Sequence, residues 1–336
     1  MKSKRREFLK QAGMVGAAAM ATGCATGTTQ VASARARRAE GGPMPRQMIL
    51  VTLMVDGEPT LGVKTARGIL DVRRAAAQHG SAAPTTIDEV IRHGDGGLGD
   101  LVRTATAQGG PFLEEGAVRF GPCVTNPEKI LCVGLNYARH ARETNNPIPK
   151  LPILFNKFNN ALNAHQGTVQ VSRVPATNFD YESELVVVMG RRARDVSEAD
   201  ALAHVLGYCN GNDFTARDLQ SRSSQWMIGK TFDGSGLLGP YLVTADLVDP
   251  NNLKIVGTVN GEVRQSSNTS DMVFNCAQIV SYTSKLMTLQ PGDIIYTGTP
   301  EGVIAGYPKD KQVWLKPGDQ LTTTIGNLGT LRFSLT

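Results

Sequence analysis

The sequence lacks the local signatures of several enzyme classes. No serine lies in the G-x-S-x-G turn that presents the nucleophile of many esterases, and no P-loop is present. Cysteine is scarce, with 5 residues, and no two of them form a C-x-x-C pair. Cys123, Cys132, Cys209 and Cys276 have apolar neighbours, so we expect buried free thiols there rather than disulfides.

A net positive charge is also missing from most of the chain. The net charge is +5, but residues 1–46 hold nine Lys/Arg and two Asp/Glu, which leaves 26 basic and 28 acidic residues elsewhere. The remainder is nearly neutral, so nucleic-acid binding by a basic face loses its support. A chain of 336 residues can form one large domain or two unequal ones, each with a substantial core.

The basic N-terminus resembles a twin-arginine export signal. Arg5 and Arg6 precede Phe8-Leu9-Lys10 and a mild Ala/Gly stretch that is too short to span a membrane. Ala32-Ser33-Ala34 provides an A-x-A cleavage site. We therefore expect an export signal over residues 1–34, recognised by the twin-arginine export machinery.

Two alternatives remain for this leader. Gly23-Cys24 is similar to a lipoprotein site, so a lipid anchor at Cys24 stays open, although Ala21 replaces the usual Leu. A basic helix that stays on the protein is the other alternative. The Arg, Gly and Pro residues of 35–46 predict a flexible tether. The export signal predicts that the protein is located in the periplasm.

Two glutamates at the start of an apolar strand give the strongest chemical signal. Asp180–Gly190 reads DYESELVVVMG, and strand alternation directs Glu182 and Glu184 to the same face. Two buried like charges repel unless a cation lies between them, and Asp213 is the best third ligand. Oxygen ligands favour Mg²⁺, or alternatively Mn²⁺ or Ca²⁺. The alternative is a solvated strand end without metal.

A histidine and a glutamate share one face of a predicted helix. After the apolar strand Lys129–Gly134, Asn136 is expected to cap a helix with the sequence NYARHARET. His140 and Glu143 are three residues apart, so the carboxylate can orient the ring of a general base. Such a pair is more often an exposed helix contact.

Further polar residues follow the central strand. Ala199–Tyr208 is predicted to be helical, and Arg217 comes soon after it, where a guanidinium could pair with a substrate carboxylate. Lys230 lies in the glycine-rich stretch Gln225–Leu238, where a lysine can approach a ligand. The alternatives are a salt bridge for the arginine and a solvated loop for the lysine.

The remaining patterns predict an α+β fold. Met48–Val55 and Leu61–Lys64 read as a hairpin, and Thr85–Arg92 and Leu98–Gln108 have helical spacing, so residues 47–121 form a small N-terminal α+β domain. Strands dominate residues 122–336.

In that second part, Leu253–Asn260 and Ile294–Thr297 are expected strands and Ser270–Met287 an expected helix.

Six spaced segments together resemble the fumarylacetoacetate hydrolase family. They are VGLNYARHARE from Val133, YESELVVVMG from Tyr181, NDFTARDLQ from Asn212, IGKTFDGSGLLGPYLVT from Ile228, VNGEVRQSSNTSDM from Val259 and PGDIIYTGTPEGV from Pro291. The resemblance implies a mixed β-sandwich roll for a catalytic domain over residues 122–336, usually a homodimer, which acts on a small oxo acid.

The resemblance also implies roles for individual residues. Glu182, Glu184 and Asp213 would hold the divalent metal. His140 and Glu143, on a lid helix, and Lys230 would be catalytic. The implied substrate contacts are Arg217, Gln220, Thr299 and Lys157.

One segment departs from the family pattern. Phe155–Thr168 reads FNKFNNALNAHQGT, where many members have a proline after the lysine and a glycine-rich stretch. This loop borders the pocket in the family, so the departure bears on substrate identity. His165 could be an additional ligand, although a plain loop histidine is the simpler interpretation.

The leading functional hypothesis is Mg²⁺-dependent hydrolysis of a carbon–carbon bond in an acylpyruvate-like or fumarylpyruvate-like 2,4-dioxo acid. The same site could isomerise or decarboxylate a 2-hydroxydienoate or oxaloacetate. An alternative of another class is a non-catalytic protein that binds oxo acids.

Overall fold

Short β-branched runs separated by glycine and aspartate turns give this chain its many strands. The computed structural model describes residues 42–336. In that range the strands are β1 Ile49–Val55, β2 Glu58–Thr65, β3 Gly68–Asp71, β4 Phe112–Leu113, β5 Ile130–Gly134, β6 Ile153–Lys157, β7 Leu162–Ala164, β8 Gly167–Val169, β9 Phe179–Asp180, β10 Ser183–Met189, β11 Val205–Asp213, β12 Thr215–Ala216, β13 Gly236–Leu238, β14 Leu242–Thr244, β15 Lys254–Val259, β16 Glu262–Asn268, β17 Ile294–Tyr296, β18 Gln320–Ile325 and β19 Thr330–Leu335.

The helices of the described part are short and lie mostly between strands. They are α1 Val72–His79, α2 Ile87–His93, α3 Leu98–Gln108, α4 Ala138–Glu143, α5 Glu198–Ala201, α6 Arg217–Gln220, α7 Met227–Lys230 and α8 Cys276–Leu286. The α+β class and the mixed roll expected from the sequence are confirmed.

The strands form one large mixed sheet and two smaller ones. The main path of the large sheet runs β4-β3-β2-β1-β14-β11-β10-β17-β5-β6, with β13 and β7 attached to β11. A second sheet runs β16-β15-β18-β19-β8, and β9 pairs with β12. The predicted domain boundary near residue 121 stays a prediction, and the large sheet crosses it because β1 pairs with β14.

Strand β10 is buried on both faces at the centre of the large sheet. Val186 and Val188 pack on one side with the core that includes α1 to α3, and Leu185 and Val187 pack on the other side with α8. Such burial suits a continuous apolar run. At its N-terminal end β10 pairs antiparallel with β11, with Glu184 opposite Gly211. This pairing fixes where the acidic residues lie.

Three local predictions are wrong. Ala199–Tyr208 is α-helical only to Ala201 and continues as a 3₁₀ turn over Leu202–His204, because residues from Val205 onward join β11. Short apolar runs do not distinguish helix from buried strand. Asn136 does not cap α4. Its buried side chain instead donates to the carbonyl oxygens of Phe274 and Thr297.

The third concerns α8, which begins at Cys276 rather than residue 270, after a capping box formed by Asn275 and Gln278.

The four cysteines of the described part are buried and free, as expected. In the same part of the chain, no helix is both long and apolar enough to cross a membrane. The export signal, most of the tether and Cys24 lie outside the described residues.

Candidate active site

One cavity brings together most of the residues singled out from the sequence. It has a volume of about 590 Å³ and opens beside α4, α6 and α7. Its polar lining includes His140, Glu182, Glu184, Arg217, Lys230 and Thr299. Strand pairing creates this convergence, because residues far apart in the chain meet at the end of β10.

Three buried carboxylates form the base of the site. Each of Glu182, Glu184 and Asp213 offers an oxygen within 4.8 Å of an oxygen of the others. The backbone N–H of Asp213 donates to the carbonyl oxygen of Glu182 at 2.9 Å, so the ladder between adjoining strands holds two of them side by side. Glu184 also accepts the backbone N–H of Gly298 at 2.7 Å.

Three cations surround two of these carboxylates. Lys230 Nζ lies 2.6 Å from Glu182 Oε2 and 2.8 Å from Asp213 Oδ2. Arg217 Nη1 lies 2.7 Å from the other oxygen of Glu182, and Lys157 Nζ lies 2.7 Å from Asp213 Oδ1. In the described part of the chain, Glu184 has no salt bridge. It is therefore the carboxylate whose charge remains uncompensated.

The pKa values follow this distribution of charge. Burial opposes ionisation of Glu182, but Lys230 and Arg217 outweigh it and lower its pKa to about 2. Burial, together with Asp213 and Glu182, raises the pKa of Glu184 well above its usual range. Burial also opposes the charge on Lys230, but Asp213 and Glu182 prevail and raise its pKa. The site thus combines an ionised Glu182, a charged lysine and a Glu184 that favours its protonated form.

The donor set suits a hard divalent cation. All three candidate ligands are carboxylates, and Mg²⁺, Mn²⁺ and Ca²⁺ prefer oxygen ligands. An ion held here would replace the proton that Glu184 favours in its absence. Lys230 Nζ already bridges two of the three carboxylates, so an ion bound here must share or take over its contacts.

The histidine and glutamate of α4 form a hydrogen-bonded pair at the cavity wall. His140 Nδ1 lies 2.9 Å from Glu143 Oε1, and Glu143 Oε2 accepts the backbone N–H of Gly302 at 2.8 Å. The ring is almost fully buried, at 5% exposure. With Nδ1 engaged by the carboxylate, Nε2 is the ring nitrogen left for a ligand.

The remaining predicted residues divide between the cavity and its surroundings. Gln220 lines the cavity and accepts from Arg217 Nη1 at 3.1 Å, and Thr299 lines it while donating to the carbonyl oxygen of Ser183. Lys157 does not line the cavity, because its ammonium lies behind Asp213 among backbone carbonyls, including that of Phe214.

His165 lies apart from the carboxylates. Its Nδ1 accepts the backbone N–H of Arg332 at 3.1 Å and its ring contacts Phe120 edge-on. Burial, reinforced by Arg332, lowers its pKa to about 4. This environment is that of a neutral structural histidine.

Several residues of the site were missed in the sequence. Gln265 donates to Thr299 Oγ1 at 2.8 Å and accepts the N–H of Ser183 at 3.0 Å, which holds the end of β10. Phe155 and Trp226 form an apolar wall, with ring centroids 5.4 Å apart. Glutamine and aromatic side chains at these positions carry no local signal of a site.

The family model described as fumarylacetoacetate (FAA) hydrolase C-terminal matches residues 129–336. The chain belongs to the fumarylacetoacetate hydrolase family. The resemblance inferred from six segments is therefore confirmed, and the matched range contains all the predicted site residues.

Relatives within the fumarylacetoacetate hydrolase family have several activities. The mitochondrial oxaloacetate tautomerase FAHD2A of Bos taurus is 42% identical over 81% of this chain and 86% of its own length. The structure of a fumarylacetoacetate hydrolase from the psychrophile Exiguobacterium antarcticum matches with a TM-score of 0.73 and 32% identity, over 86% of this chain and 99% of that one.

A third relative carries a metal. The fumarylpyruvate hydrolase of Pseudomonas aeruginosa, solved in complex with Mn²⁺ and pyruvate, matches with a TM-score of 0.57 and 33% identity, over 66% of this chain and 93% of that one. Mn²⁺ prefers oxygen ligands, and the buried acidic cluster described above offers three carboxylates.

The comparisons correct one expectation. The oxaloacetate tautomerases that match this chain are named as mitochondrial proteins, so the expected periplasmic location is wrong. That expectation rested on the leader, which lies outside the described residues.

Proposed function

We propose that this protein catalyses the interconversion of the enol and keto forms of a small 2-oxo dicarboxylic acid, with oxaloacetate as the candidate substrate. The observation that carries the proposal is the His140–Glu143 pair, with Nδ1 and Oε1 2.9 Å apart, in the same cavity as the buried carboxylates. Tautomerisation needs one positioned acid–base group and stabilisation of an enolate, and it needs no attacking water. The tautomerase relatives support this choice.

In this reaction His140 would transfer the proton and Glu143 would assist it. His140 Nε2 would take the proton from the enol hydroxyl and return it to the neighbouring carbon. The electron pair of the C=C bond becomes the new C–H bond as the oxygen regains its carbonyl. Glu143 would orient the ring and stabilise its protonated form. Atoms and charge balance without an oxidant or a second substrate.

The cations of the cavity would neutralise the substrate. Arg217 lines the cavity, and its Nη2 is buried without a hydrogen-bond partner in the described residues, so a donor remains for a carboxylate. Lys230 would stabilise negative charge on the enolate oxygen. A divalent ion, Mg²⁺ in this proposal, would be held by Glu182, Glu184 and Asp213 and would supply Lewis-acid stabilisation of the enolate.

A second candidate is hydrolysis of a carbon–carbon bond in an acylpyruvate-like acid. It is favoured by the same hydrogen-bonded pair, since a histidine backed by a carboxylate can also activate water, and by the relative solved with Mn²⁺ and pyruvate. Decarboxylation of oxaloacetate would use the same enolate stabilisation.

The test follows enol-oxaloacetate by its ultraviolet absorbance after dilution into buffer with Mg²⁺, with an acylpyruvate assayed in parallel. We expect the enzyme to accelerate loss of the enol, with dependence on Mg²⁺ and a fall of about 100-fold or more in His140→Gln. Enol loss at the buffer rate together with acylpyruvate cleavage would favour the second candidate. Binding of both acids without turnover would instead indicate an oxo-acid-binding protein.

The homodimer implied by the family resemblance stays a prediction. Light scattering of the purified full chain tests it, with twice the mass of 35.9 kDa as the expected result.

A further inference from the structure

Asp180 is a fully buried carboxylate next to the cavity, with no role in the chemistry above. Each of its oxygens accepts two hydrogen bonds. Oδ1 accepts the backbone N–H groups of Tyr181 at 3.0 Å and Ile304 at 2.9 Å. Oδ2 accepts Arg217 Nε at 2.8 Å and the backbone N–H of Ala305 at 3.1 Å. Four donors therefore converge on one side chain.

The first consequence concerns the orientation of Arg217. Its Nε is held by Asp180, and its Nη1 is held by Glu182 and Gln220. A guanidinium is planar, so contacts at Nε and Nη1 determine where the remaining nitrogen lies. Nη2, which has no hydrogen-bond partner among residues 42–336, therefore has a fixed position.

The second consequence concerns the segment 301–306. Asp180 holds the N–H groups of Ile304 and Ala305, while Gly302, two residues earlier, donates its N–H to Glu143. Gly306 lies against the same glutamate, so close that an added Cβ would lie 2.4 Å from its Cδ. Asp180 thus connects Arg217 to the segment 301–306, and this segment holds Glu143, the partner of His140.

We propose that Asp180 is a positioning residue that fixes Arg217 and the segment 301–306 as one unit, and thereby sets the affinity for the acidic substrate. The kinetic part of this inference rests on the proposed function. A carboxylate is required because all four neighbours are donors, and an asparagine would turn an NH₂ group toward two of them.

Asp293 offers a matched control. It is also fully buried, and it accepts the backbone N–H groups of Lys129 and Gln290 together with the Lys129 ammonium. It does not line the cavity. Asp180→Asn and Asp293→Asn therefore remove the same charge from similar surroundings, and both are expected to lower the melting temperature.

The experiment combines hydrogen exchange with steady-state kinetics, both well below the melting temperatures. In Asp180→Asn we expect faster exchange at Ile304 and Ala305 and a rise of about tenfold or more in KM for oxaloacetate. Asp293→Asn should leave both readouts within twofold of wild type. The exchange readout needs no substrate, so it distinguishes failure of this inference from failure of the proposed function.

Asp180→Glu is a second variant for the case that Asp180→Asn does not fold, because it keeps the buried charge. Its additional methylene must move the guanidinium of Arg217. We expect KM between those of wild type and Asp180→Asn. Unchanged exchange over residues 302–306 in Asp180→Asn, or wild-type KM in either Asp180 variant, would overturn the inference. Equal effects in Asp293→Asn would do the same.

Discussion

Lys230 Nζ lies 2.8 Å from Asp213 Oδ2, within a cluster of carboxylates that is otherwise suited to a metal ion. The same ammonium lies 2.6 Å from Glu182 Oε2. Its raised pKa means that it stays charged at neutral pH. A divalent ion therefore competes with an internal cation for two of its three carboxylates.

This competition predicts the effect of removing the lysine. Lys230→Met should bind Mn²⁺ about tenfold more tightly than wild type at pH 8, since about 1.4 kcal/mol of competing attraction suffices for a tenfold change. Turnover should be lost, because the charge that stabilises the enolate is gone. Titration calorimetry measures the affinity, and Lys129→Met is the control. Weaker binding in Lys230→Met would indicate that the lysine supports the metal instead.

Glu184 predicts a pH-dependent stability in the absence of metal. Its raised pKa means that the folded state keeps a proton that the unfolded chain releases above about pH 4.5. The free energy of unfolding in EDTA should therefore fall as the pH rises above that value. Glu184→Gln should remove this loss, about 1.4 kcal/mol for each pKa unit, and should no longer bind Mn²⁺. Urea unfolding at pH 6 and pH 8 measures the free energy of unfolding of wild type and Glu184→Gln. An equal change between the two pH values in both proteins would contradict a raised pKa for Glu184.

Gly306 provides a test of the His140–Glu143 pair that avoids both residues. A Cβ at this position would lie 2.4 Å from Glu143 Cδ, so the glutamate side chain, and no backbone atom, must move. Gly306→Ala should therefore displace the carboxylate from His140 at little cost in stability. We expect kcat to fall about tenfold while the melting temperature changes by only a few degrees. Steady-state kinetics measures the first and calorimetry the second. Gly116→Ala, at an exposed position with open space around it and no positive φ, is a control for the added methyl group alone.

His165 predicts acid sensitivity that is independent of the metal site. Its pKa is about 4 in the folded protein against 6.5 for the free side chain, so the unfolded chain binds the proton more readily. The stability that this neutral ring contributes is complete above pH 6.5 and is lost as the pH falls toward 4. The difference between the two pKa values makes this loss roughly 3 kcal/mol. Urea unfolding of His165→Gln should show a flatter decline over this range, whereas the exposed His93→Gln should follow wild type.

The acidic cluster could be predicted because it depends on local rules. Strand alternation directs Glu182 and Glu184 to one face, and the neighbouring strand ends at Asp213. The pairing of His140 with Glu143 follows equally from helical spacing. A short-range periodicity thus places the two glutamates together and the histidine beside its glutamate, whereas Asp213 joins the cluster through strand pairing.

Other parts of the site depend on long-range packing. Lys157 meets Asp213 across 56 residues of chain, and nothing in its own segment shows that its ammonium lies behind the carboxylates rather than in the cavity. Asp180 lies in the same motif as the glutamates, but three of its four donors come from two distant segments. The capping box at Asn275 was available in the sequence and would have located the start of α8.

The most direct test of the account is anomalous diffraction from crystals grown with Mn²⁺ and oxalate, a stable analogue of a 2-oxo acid. The account predicts one Mn²⁺ ion bound by oxygens of Glu182, Glu184 and Asp213 at roughly 2.0–2.3 Å, with oxalate as a further ligand. A cluster without anomalous signal, in which Lys230 still bridges Glu182 and Asp213, would contradict it.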